Sequence, residues 1–296
     1  MNIGIIGGGA IGLLFGYYLS FKHEVTIYTK SEQQAYALNQ AGISLEEDIY
    51  TQKVSARPLS AGLSTHQAVI FAVKQYHLEE VLNQIEERIQ HIPILLFLQN
   101  GMSHLRLLDN LHQENVGIGI VEHGALKLSE TRINHTGKGV VKISAYKGRR
   151  DFLLSIFEGE NVSKLKAIKE DDFLLSMQSK LVINAVINPL TALYKVENGL
   201  LLSNSYIINT MKLVFNEVVS VLSIPNPEKQ WDMIKQICEN TASNRSSMLK
   251  DIELGRETEI DSILGYVLEQ ARLQNKTLAV TDFLYHAIKG LEKRRN

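Results

Sequence analysis

Over the first hundred positions, short runs rich in apolar residues alternate with segments that are predicted to be helices. The short runs predict buried strands, since they are too brief for buried helices. They lie at Met1–Ile6, Glu24–Tyr28, Ala68–Val73 and Ile94–Leu98. The predicted helices are Leu13–Leu19 and Leu78–Ile92, of which the second shows helical periodicity and stops at Pro93. This alternation favours a mainly parallel sheet that is covered on both faces.

The pattern changes in the second half of the chain. Strands and turns are predicted within Val116–Ser144, whereas the sequence after about Asp171 carries helical patterns with essentially no strand signal. These helical segments are 171–194, 204–223, 227–242, 246–255, 260–275 and 281–293. The charged stretch Lys164–Asp172 is predicted to be the hinge. We expect an α/β Rossmann-type domain at 1–168 and an all-α domain at 169–296, with a solvated tail at Lys293–Arg295.

A glycine-rich turn joins the first predicted strand to the first helix. Gly7, Gly9 and Gly12 fit the G-x-G-x-x-G pattern, in which the glycines permit a tight turn, close approach of a pyrophosphate and close helix–strand packing. The N–H groups at the helix start then favour phosphate. The residues predicted to hold a dinucleotide are Gly7, Gly8, Gly9, Ala10, Ile11 and Gly12. A merely structural glycine turn is the alternative.

The end of the second predicted strand indicates which dinucleotide binds. An NAD site usually has an acid about 20 residues after the glycines, where it binds the ribose 2′-hydroxyl. Here the sequence reads Tyr28-Thr29-Lys30-Ser31, and the first carboxylate is that of Glu32. Lys30 suits a 2′-phosphate as a point charge, so we expect NADPH to be preferred over NADH. An ordinary surface lysine is the competing interpretation.

Two further polar residues follow predicted strands, at the sheet edge where open α/β sheets bind their ligands. Lys74 comes after Ala68–Val73, and Asn100 comes after Ile94–Leu98. Because Asn100-Gly101 is also a common turn dipeptide, a purely structural role for Asn100 is equally open.

The helical segment 180–191 carries three polar side chains in an otherwise apolar stretch. Lys180, Asn184 and Asn188 are spaced four apart, so they share one helix face. A core face would not hold a lysine and two amides, and a solvated face would be richer in charge. A wet pocket that holds a polar ligand explains the stripe best. An inter-helix hydrogen-bond network of satisfied amides is the alternative.

Composition narrows the functional classes. The 296 residues are 45% hydrophobic and 21% charged, as in ordinary globular proteins, and a net charge of −1 gives no support to nucleic-acid binding. The single cysteine, Cys238, excludes an internal disulfide and fits a reducing cytoplasm. Neither a membrane span nor a targeting segment is predicted. The histidines at 66, 77, 104, 123 and 135 are too scattered to predict a metal site.

Seven segments of the chain share the motifs of one known family. They are Gly7–Gly12, Lys74, Gln99–Met102, Lys180–Thr191, Glu197–Gly199, Ser246–Asp251 and Thr258–Asp261. Over essentially its full length the chain resembles the ketopantoate reductases, also called 2-dehydropantoate 2-reductases. The resemblance implies NADPH-dependent reduction of 2-dehydropantoate to (R)-pantoate, toward pantothenate and coenzyme A. It also implies a Rossmann domain and a helical domain with the active site in the cleft between them.

The resemblance implies roles for individual residues as well. Lys180 looks like the proton donor, and Glu259 like the acid at the junction of cofactor and substrate. Substrate contacts are implied for Asn184, Asn188, Asn198 and Ser247, and Asn244 is added as a further site candidate. Asn100 looks like a residue that touches both ligands, and Ala125 like a backbone contact to the cofactor. Lys30 stands where the family often has Arg, which weakens bidentate binding of a 2′-phosphate but keeps the charge.

The chemistry of these residues agrees with the implied roles and leaves alternatives. An ammonium group at Lys180 can stabilise and protonate the oxygen of a ketone without a metal. Thr258–Asp261 also has the capping-box pattern, so stabilisation of a helix start is the alternative role for Glu259. The rival functions are reduction of another 2-oxo acid and non-catalytic NADP sensing. We expect a small-molecule partner and no nucleic acid or membrane partner, and homodimerisation is left open.

Overall fold

The protein consists of two compact units, in a computed structural model that describes residues 1–293. The first unit comprises Met1–Gln99 and His104–Phe173. The second comprises Asn100–Ser103 and the chain from Leu174 onward, so a short segment within the first unit's sequence belongs to the second unit. The predicted tail residues at 294 and 295 lie outside the described part of the chain.

Twelve strands lie in the first unit. They are β1 (Asn2–Ile6), β2 (Glu24–Thr29), β3 (Ile43–Leu45), β4 (Thr51–Gln52), β5 (Ser55–Pro58), β6 (Ala68–Phe71), β7 (Ile94–Phe97), β8 (Asn115–Val121), β9 (Gly124–Lys127), β10 (Arg132–Gly137), β11 (Val141–Lys147) and β12 (Ala167–Lys169). Eight of them form one sheet in the order β12-β11-β8-β7-β6-β1-β2-β5. Every neighbouring pair in it is parallel except β11 with β8, which confirms the predicted mainly parallel sheet.

The remaining four strands form a small sheet in the order β4-β3-β10-β9. Helices and short 3₁₀ turns connect the strands of both sheets. The helices are α1 (Ala10–Leu19), α2 (Glu32–Ala41), α3 (Leu78–Ile89), α4 (Leu105–Leu108) and α5 (Arg150–Leu154). The 3₁₀ turns are Leu59–Ala61, Gln75–His77, Ser155–Phe157 and Val162–Leu165. Of the helices, the sequence pattern predicted α1 and α3 and missed the other three.

The central strands are apolar throughout because both faces of the large sheet are covered. In β1, Ile5 is fully buried and pairs in register with Ile27 of β2 and Ile70 of β6. Phe71 and Phe97 end β6 and β7 with stacked rings whose centroids are 4.4 Å apart. The parallel register of β1 with β6 and of β6 with β7 places their carboxyl ends at one edge of the sheet, where the glycine turn and Lys74 follow.

Part of the predicted hinge is itself a strand, which corrects the interpretation of Lys164–Asp172. Ala167–Lys169 forms β12 and pairs in parallel with β11 at one edge of the large sheet. The charges suggested a hinge because an edge strand, like a connecting segment, can expose much of its length: Ile168 and Lys169 are both exposed.

Helices make up the regular structure of the described part of the second unit. They are α6 (Phe173–Tyr194), α7 (Leu200–Ser203), α8 (Ser205–Val221), α9 (Pro227–Asn240), α10 (Ser247–Glu253), α11 (Tyr266–Leu273) and α12 (Ala279–Lys293). A π-helical turn at Asp261–Gly265 precedes α11, where the sequence predicted one regular helix over 260–275. Among the described helices, none has both the length and the apolar character needed to cross a membrane.

Side-chain caps determine where three of these helices begin. The Asn204 side chain accepts hydrogen bonds from the first turn of α8, and that of Asn226 accepts one from the N–H of Lys229 in α9. The hydroxyl of Ser246 accepts one from the N–H of Leu249, which places Ser247 at the first position of α10. The predicted start of a helix near Ser246 is therefore confirmed.

His104 gives the first unit a pH-dependent stability. Its side chain is 1% exposed, and burial lowers the pKa of His104 from 6.5 to about 4. The folded protein therefore keeps this imidazole neutral at pH values where an unfolded histidine is protonated. Since the unfolded state binds more protons in this window, the contribution is complete above about pH 6.5 and is lost as the pH falls toward 4.

We expect His104→Gln to flatten the pH dependence of unfolding. In urea titrations, its free energy of unfolding should fall less steeply than that of wild type between roughly pH 6 and 4.5, by up to about 1.4 kcal/mol per pH unit. His112→Gln is the control, since His112 is exposed in the folded protein. Equal slopes for wild type and His104→Gln would contradict the prediction.

Candidate active site

Close backbone contacts hold the glycine turn between β1 and α1. Gly7 has a φ of 122°, which L side chains rarely adopt, and a Cβ there would lie 2.8 Å from the carbonyl carbon of Ala72. A Cβ on Gly12 would overlap the carbonyl oxygen of Gly7. The packing of the turn itself therefore requires glycine at both positions, in agreement with the tight turn and close helix–strand contact of the dinucleotide pattern.

Gly9 differs, because no atom of the described structure lies within 4 Å of a Cβ built there. It is exposed and immediately precedes α1, whose first N–H groups lack partners within the helix. Ala10 and Ile11 form the start of that helix and are half-buried. The open space beside Gly9 fits the close approach of a pyrophosphate, so the turn fits a dinucleotide cofactor.

Gln34 of α2 also holds the turn, and sequence reasoning missed it. Its Nε2 donates to the carbonyl oxygen of Gly8 at 2.8 Å and to that of Glu130 at 3.1 Å. The side chain is 5% exposed, so this amide is a buried link between the glycine turn and the hairpin of β9 and β10. Because α2 was not predicted, no sequence pattern indicated that Gln34 faces inward.

Lys30 directly follows β2, and its side chain is exposed. The backbone around it is ordered by its neighbours. The Thr29 hydroxyl donates to the carbonyl oxygen of Ser31 at 2.8 Å, and the Ser31 hydroxyl caps α2 by accepting from the N–H of Gln34 at 3.2 Å. Lys30 thus presents its charge to solvent at the end of β2, and its contact with a 2′-phosphate stays a prediction.

Gln99 links the ends of β6 and β7. Its Nε2 donates to the carbonyl oxygens of Phe71 and Val73, at 3.0 and 3.1 Å, just before the half-buried Lys74. Asn100 comes next, and Gly101 has a φ of 80°, so Asn100-Gly101 does form a turn. That turn belongs to the second unit, where the Asn100 side chain has a partner described below.

Two of the five histidines named above, His123 directly before β9 and His135 in β10, are hydrogen-bonded to each other. His123 Nδ1 is 2.9 Å from His135 Nε2, and the other ring nitrogen of His135, Nδ1, is 3.0 Å from the hydroxyl of Tyr18. His123 Nε2 lies 2.8 Å from the carbonyl oxygen of Leu165 and must donate to it. Burial lowers the pKa of both histidines, which keeps them neutral at pH 7. The network anchors the start of β9, the strand that contains the half-buried Ala125.

No metal centre was predicted, and the described part of the chain contains no group of three or more His, Cys, Asp and Glu side chains that could hold a metal ion. His123 and His135 form a pair only. Their ring nitrogens take part in the hydrogen bonds described above, with Tyr18 at one end and Leu165 at the other.

The predicted polar stripe lies on one face of α6. Lys180, Asn184 and Asn188 are each half-buried, while most of the apolar residues between them are fully buried. Gln230 of α9 fixes the helix just before Lys180, because its Nε2 donates to the carbonyl oxygen of Ser179 at 3.1 Å and its Oε1 accepts from the Ser179 hydroxyl at 2.8 Å. The stripe is therefore accessible and lies on a helix that is held in place.

A buried pair of hydroxyls connects α6 to α10. The Thr191 hydroxyl lies 2.7 Å from that of Ser246 and also bonds to the carbonyl oxygen of Asn188, at 2.9 Å. Thr191 is fully buried, whereas Ser247, directly after Ser246, is exposed. The segments that contain Asn188 and Ser247, two predicted substrate contacts, are thus linked through Thr191 and Ser246.

Asn198 and Asn244 lie on adjoining segments of the same unit. The N–H of Asn198 donates to the carbonyl oxygen of Asn244 at 2.9 Å, and its side-chain Nδ2 donates to the Thr241 hydroxyl at 2.9 Å. Asn198 is 7% exposed, and its Oδ1 is buried without a hydrogen-bond partner in the described structure. Its role in substrate contact stays a prediction; in this structure it braces the segment that carries Asn244.

Glu259 is hydrogen-bonded to Asn100, another predicted site residue, which lies 159 positions earlier in the chain. The amide nitrogen of Asn100 donates to Glu259 Oε2 at 3.1 Å, and Glu259 is 8% exposed. The bond from the N–H of Thr258 to the Asp261 side chain, which a capping box requires, does not form. The N–H of Thr258 donates to Glu292 instead, and Asp261 accepts from Tyr285 and Lys289. Glu259 itself lies at the start of this helical segment, since its carbonyl oxygen accepts from the N–H of Ile263 at 3.1 Å, so stabilisation of a helix start stays an alternative role for its carboxylate.

These features define the class of protein. A Rossmann-type sheet carries a glycine turn that fits a dinucleotide, and a separate helical unit presents a half-buried lysine among amides. This combination is typical of nicotinamide-dependent oxidoreductases.

Family models then identify the particular family. The model described as ketopantoate reductase PanE/ApbA matches residues 3–148, and the model described as ketopantoate reductase PanE/ApbA C terminal matches residues 172–292. Together they cover most of the chain, and the chain belongs to the ketopantoate reductase family.

Individual relatives agree with this assignment. The chain is 41% identical over 297 residues to the 2-dehydropantoate 2-reductase of Bacillus subtilis (strain 168), covering 100% of this chain and 99% of the relative. It is 37% identical over 302 residues to that of Listeria innocua, covering 100% and 98%. A crystal structure of the probable Bacillus subtilis enzyme matches with a TM-score of 0.87 over 98% of this chain and 100% of that chain.

A more distant match shows that the fold is shared beyond these relatives. The structure of D-mandelate dehydrogenase with NADH and anilino(oxo)acetate has a TM-score of 0.88 at 22% identity, covering 99% of this chain and 98% of that chain. At this identity the similarity concerns the fold alone. The predicted fold class, a Rossmann-type domain followed by a helical one, is confirmed.

We expect Gly9→Ala to weaken cofactor binding without lowering stability. The protein has room for the added methyl group, but that group occupies the space that fits a pyrophosphate. The Kd for NADPH, measured by fluorescence titration, should rise about 10-fold or more while the Tm is unchanged, a loss of roughly 1.4 kcal/mol in binding. Gly12→Ala is the contrasting variant, since it should lower the Tm by overlapping Gly7. An unchanged Kd in Gly9→Ala would place the pyrophosphate elsewhere.

Proposed function

We propose that this protein reduces 2-dehydropantoate to (R)-pantoate with NADPH, a step toward pantothenate and coenzyme A. The observation that carries the proposal is the half-buried face of α6 with Lys180, Asn184 and Asn188, in a chain 41% identical to a 2-dehydropantoate 2-reductase over its full length. We assign cofactor binding to residues 1–168 and substrate binding to residues 169–296.

Lys180 is the proposed proton donor. A bound nicotinamide would supply a hydride to the ketone carbon, and negative charge would then develop on the carbonyl oxygen. The Lys180 ammonium stabilises that charge and then transfers a proton from Nζ to the oxygen, which yields the alcohol. Because Lys180 is half-buried on an apolar helix, water screens its charge less than it would on an open surface.

The neighbouring polar groups have orienting roles in this proposal. Amides do not exchange protons readily at neutral pH, so Asn184 and Asn188 hold the substrate by hydrogen bonds. The Ser247 hydroxyl donates to the substrate carboxylate, and Asn198 and Asn244 complete the substrate-binding set. The bonds of the Thr191 hydroxyl to the carbonyl oxygen of Asn188 and to the hydroxyl of Ser246, the neighbour of Ser247, support this grouping.

Glu259 has a second role beside Lys180. Its carboxylate holds the Asn100 amide by the 3.1 Å bond, so that Asn100 can be oriented toward cofactor and substrate. We also propose that Glu259 helps to hold Lys180. On the cofactor side, the binding set comprises Gly7–Gly12, Lys30, Lys74, Asn100, the backbone of Ala125 and Glu259.

Two further expectations stay proposals. A cytoplasmic location is expected from the single cysteine, Cys238, which is buried as a free thiol. Homodimerisation is left open by the sequence, and a size measurement in solution would decide it.

An assay of NADPH oxidation with a panel of 2-oxo acids tests the function. The panel contains 2-dehydropantoate, an unbranched analogue without a hydroxyl group and an aryl 2-oxo acid. We expect kcat/KM to be at least about 10-fold higher for 2-dehydropantoate, since a site built to bond a hydroxyl rejects analogues that lack it. Faster reduction of another member would make that acid the substrate. NADPH binding without oxidation by any member would indicate a sensor.

We expect Lys180→Ala to lower kcat by on the order of 10² or more, the range of general acid catalysis, with little change in NADPH affinity. Lys180→Arg separates the two proposed roles, since a guanidinium keeps the charge but does not release its proton. Lys235→Ala is the control, because Lys235 is a partly exposed lysine of the same unit, paired with Asp232. Near wild-type turnover of Lys180→Ala would refute the assigned role.

We expect Lys30→Ala to reduce the preference for NADPH over NADH. Loss of the charge facing a 2′-phosphate should lower the ratio of the two kcat/KM values by about 10-fold, which corresponds to roughly 1.4 kcal/mol. Lys53→Ala removes another exposed lysine of the same unit and should leave the ratio unchanged. An unchanged ratio in Lys30→Ala would make Lys30 an ordinary surface residue.

A further inference from the structure

Thr258, directly before Glu259, is hydrogen-bonded to Glu292 in the last turn of α12. The N–H of Thr258 donates to Glu292 Oε1 at 2.8 Å, and its hydroxyl donates to the same oxygen at 2.6 Å. Thr258 is 1% exposed, and the Glu292 side chain is 10% exposed. Two charge-assisted hydrogen bonds in a buried setting hold this residue strongly.

The chain on the C-terminal side of Glu259 is tied to the same helix. Asp261 accepts from the Tyr285 hydroxyl at 2.6 Å and from Lys289 Nζ at 2.9 Å. Lys289 also pairs with Glu292 Oε2 at 3.0 Å, which closes a chain of contacts from Thr258 to Asp261. Burial alone lowers the pKa of Lys289, but its bonds to Asp261 and Glu292 outweigh burial and raise it above the usual value. We call Thr258, Glu292, Lys289 and Asp261 the α12 tether.

Only Glu259 and Ile260 lie between the two tied residues. Ile260 is fully buried, and the carbonyl oxygen of Glu259 accepts from the Ser262 hydroxyl at 2.9 Å. The π-helical turn Asp261–Gly265 begins immediately afterwards, and such turns occur often at functional sites. The backbone of Glu259 is thus flanked on both sides by residues that bond to α12.

We propose that Thr258 and Glu292 are positioning residues that hold the Glu259 carboxylate in the geometry that binds Asn100. The proposal rests on the role given to Glu259 in the proposed function. In this proposal the α12 tether acts through Glu259. A carboxylate that orients reacting groups must be held closely, since a displacement of about 1 Å can lower a rate by up to about 10².

The chain offers a matched control for a purely structural role. At the start of α12, the N–H and hydroxyl of Thr281 donate to Glu217 Oε2 of α8, at 2.7 and 2.8 Å. Thr281 is fully buried, like Thr258, and its carboxylate partner also lies on another element. Thr258 and Thr281 thus form nearly identical contacts, but only Thr258 adjoins a proposed site residue.

The test compares Thr258→Val with Thr281→Val in the full-length protein. Both variants lose a buried hydroxyl, so both should lower the Tm by similar amounts. Only Thr258→Val should lower kcat/KM for 2-dehydropantoate, by about 10-fold. Thr281→Val should stay within about 2-fold of wild type. Thr258→Ser keeps the hydroxyl and should restore most of the activity.

A double-mutant cycle with Glu259→Ala shows whether the effect passes through the carboxylate. If it does, adding Thr258→Val to Glu259→Ala should not lower the rate further, measured as single-turnover NADPH oxidation at excess enzyme. Its effect on the Tm should persist.

The outcomes separate this inference from the proposed function. Wild-type kcat/KM in Glu259→Ala would refute the role given to Glu259, and the inference with it. Impaired Glu259→Ala together with equal kcat/KM in Thr258→Val and Thr281→Val would refute the inference alone. A full further loss from Thr258→Val in the Glu259→Ala background would also refute it, because Thr258 would then act by another route.

Discussion

A polar side chain buried away from water needs a hydrogen-bond partner, and much of the candidate site depends on how this protein meets that requirement. Gln34, Gln99 and Gln230 are all buried, and each donates to a backbone carbonyl oxygen beside a proposed site residue. Their amides reach the glycine turn, the strand end before Lys74 and the helix turn before Lys180. A glutamine suits this role because it is uncharged and long, and its amide nitrogen can donate two hydrogen bonds.

The second unit meets the same requirement with carboxylates. Glu292 and Glu217 each accept bonds from both the N–H and the hydroxyl of one buried threonine, and each thereby fixes a helix start or turn. Glu259 accepts a bond from a side-chain amide, and it lies on a segment already held by its neighbours. A rigid frame of this kind lets a reactive or orienting group keep its direction without strain in its own side chain.

Local patterns predicted the parts of the molecule that depend on neighbours in sequence. The glycine turn after β1 and the polar face of α6 can be predicted from residue spacing. The turn requires glycines at set positions, and a helix has a fixed period. The glutamine links and the contact of Asn100 with Glu259 join residues far apart in the chain, so no window of sequence contains them. The charges of Lys164–Asp172 indicated a hinge. The strand β12 within this stretch was missed because it pairs with β11, which lies more than twenty residues earlier in the chain. The π-helical turn was missed because its residues follow the pattern of an ordinary helix.

The hydrogen bonds of Tyr18, His135 and His123 run in one direction to the carbonyl oxygen of Leu165. Each imidazole donates through one nitrogen and accepts through the other, so every member determines the tautomer of the next. A side chain with a different arrangement of donors would leave two neighbours unsatisfied at once. These residues come from α1, β10 and the segment before β9. Substitutions at them are therefore coupled: a tolerated change at one position requires compensating changes at the others.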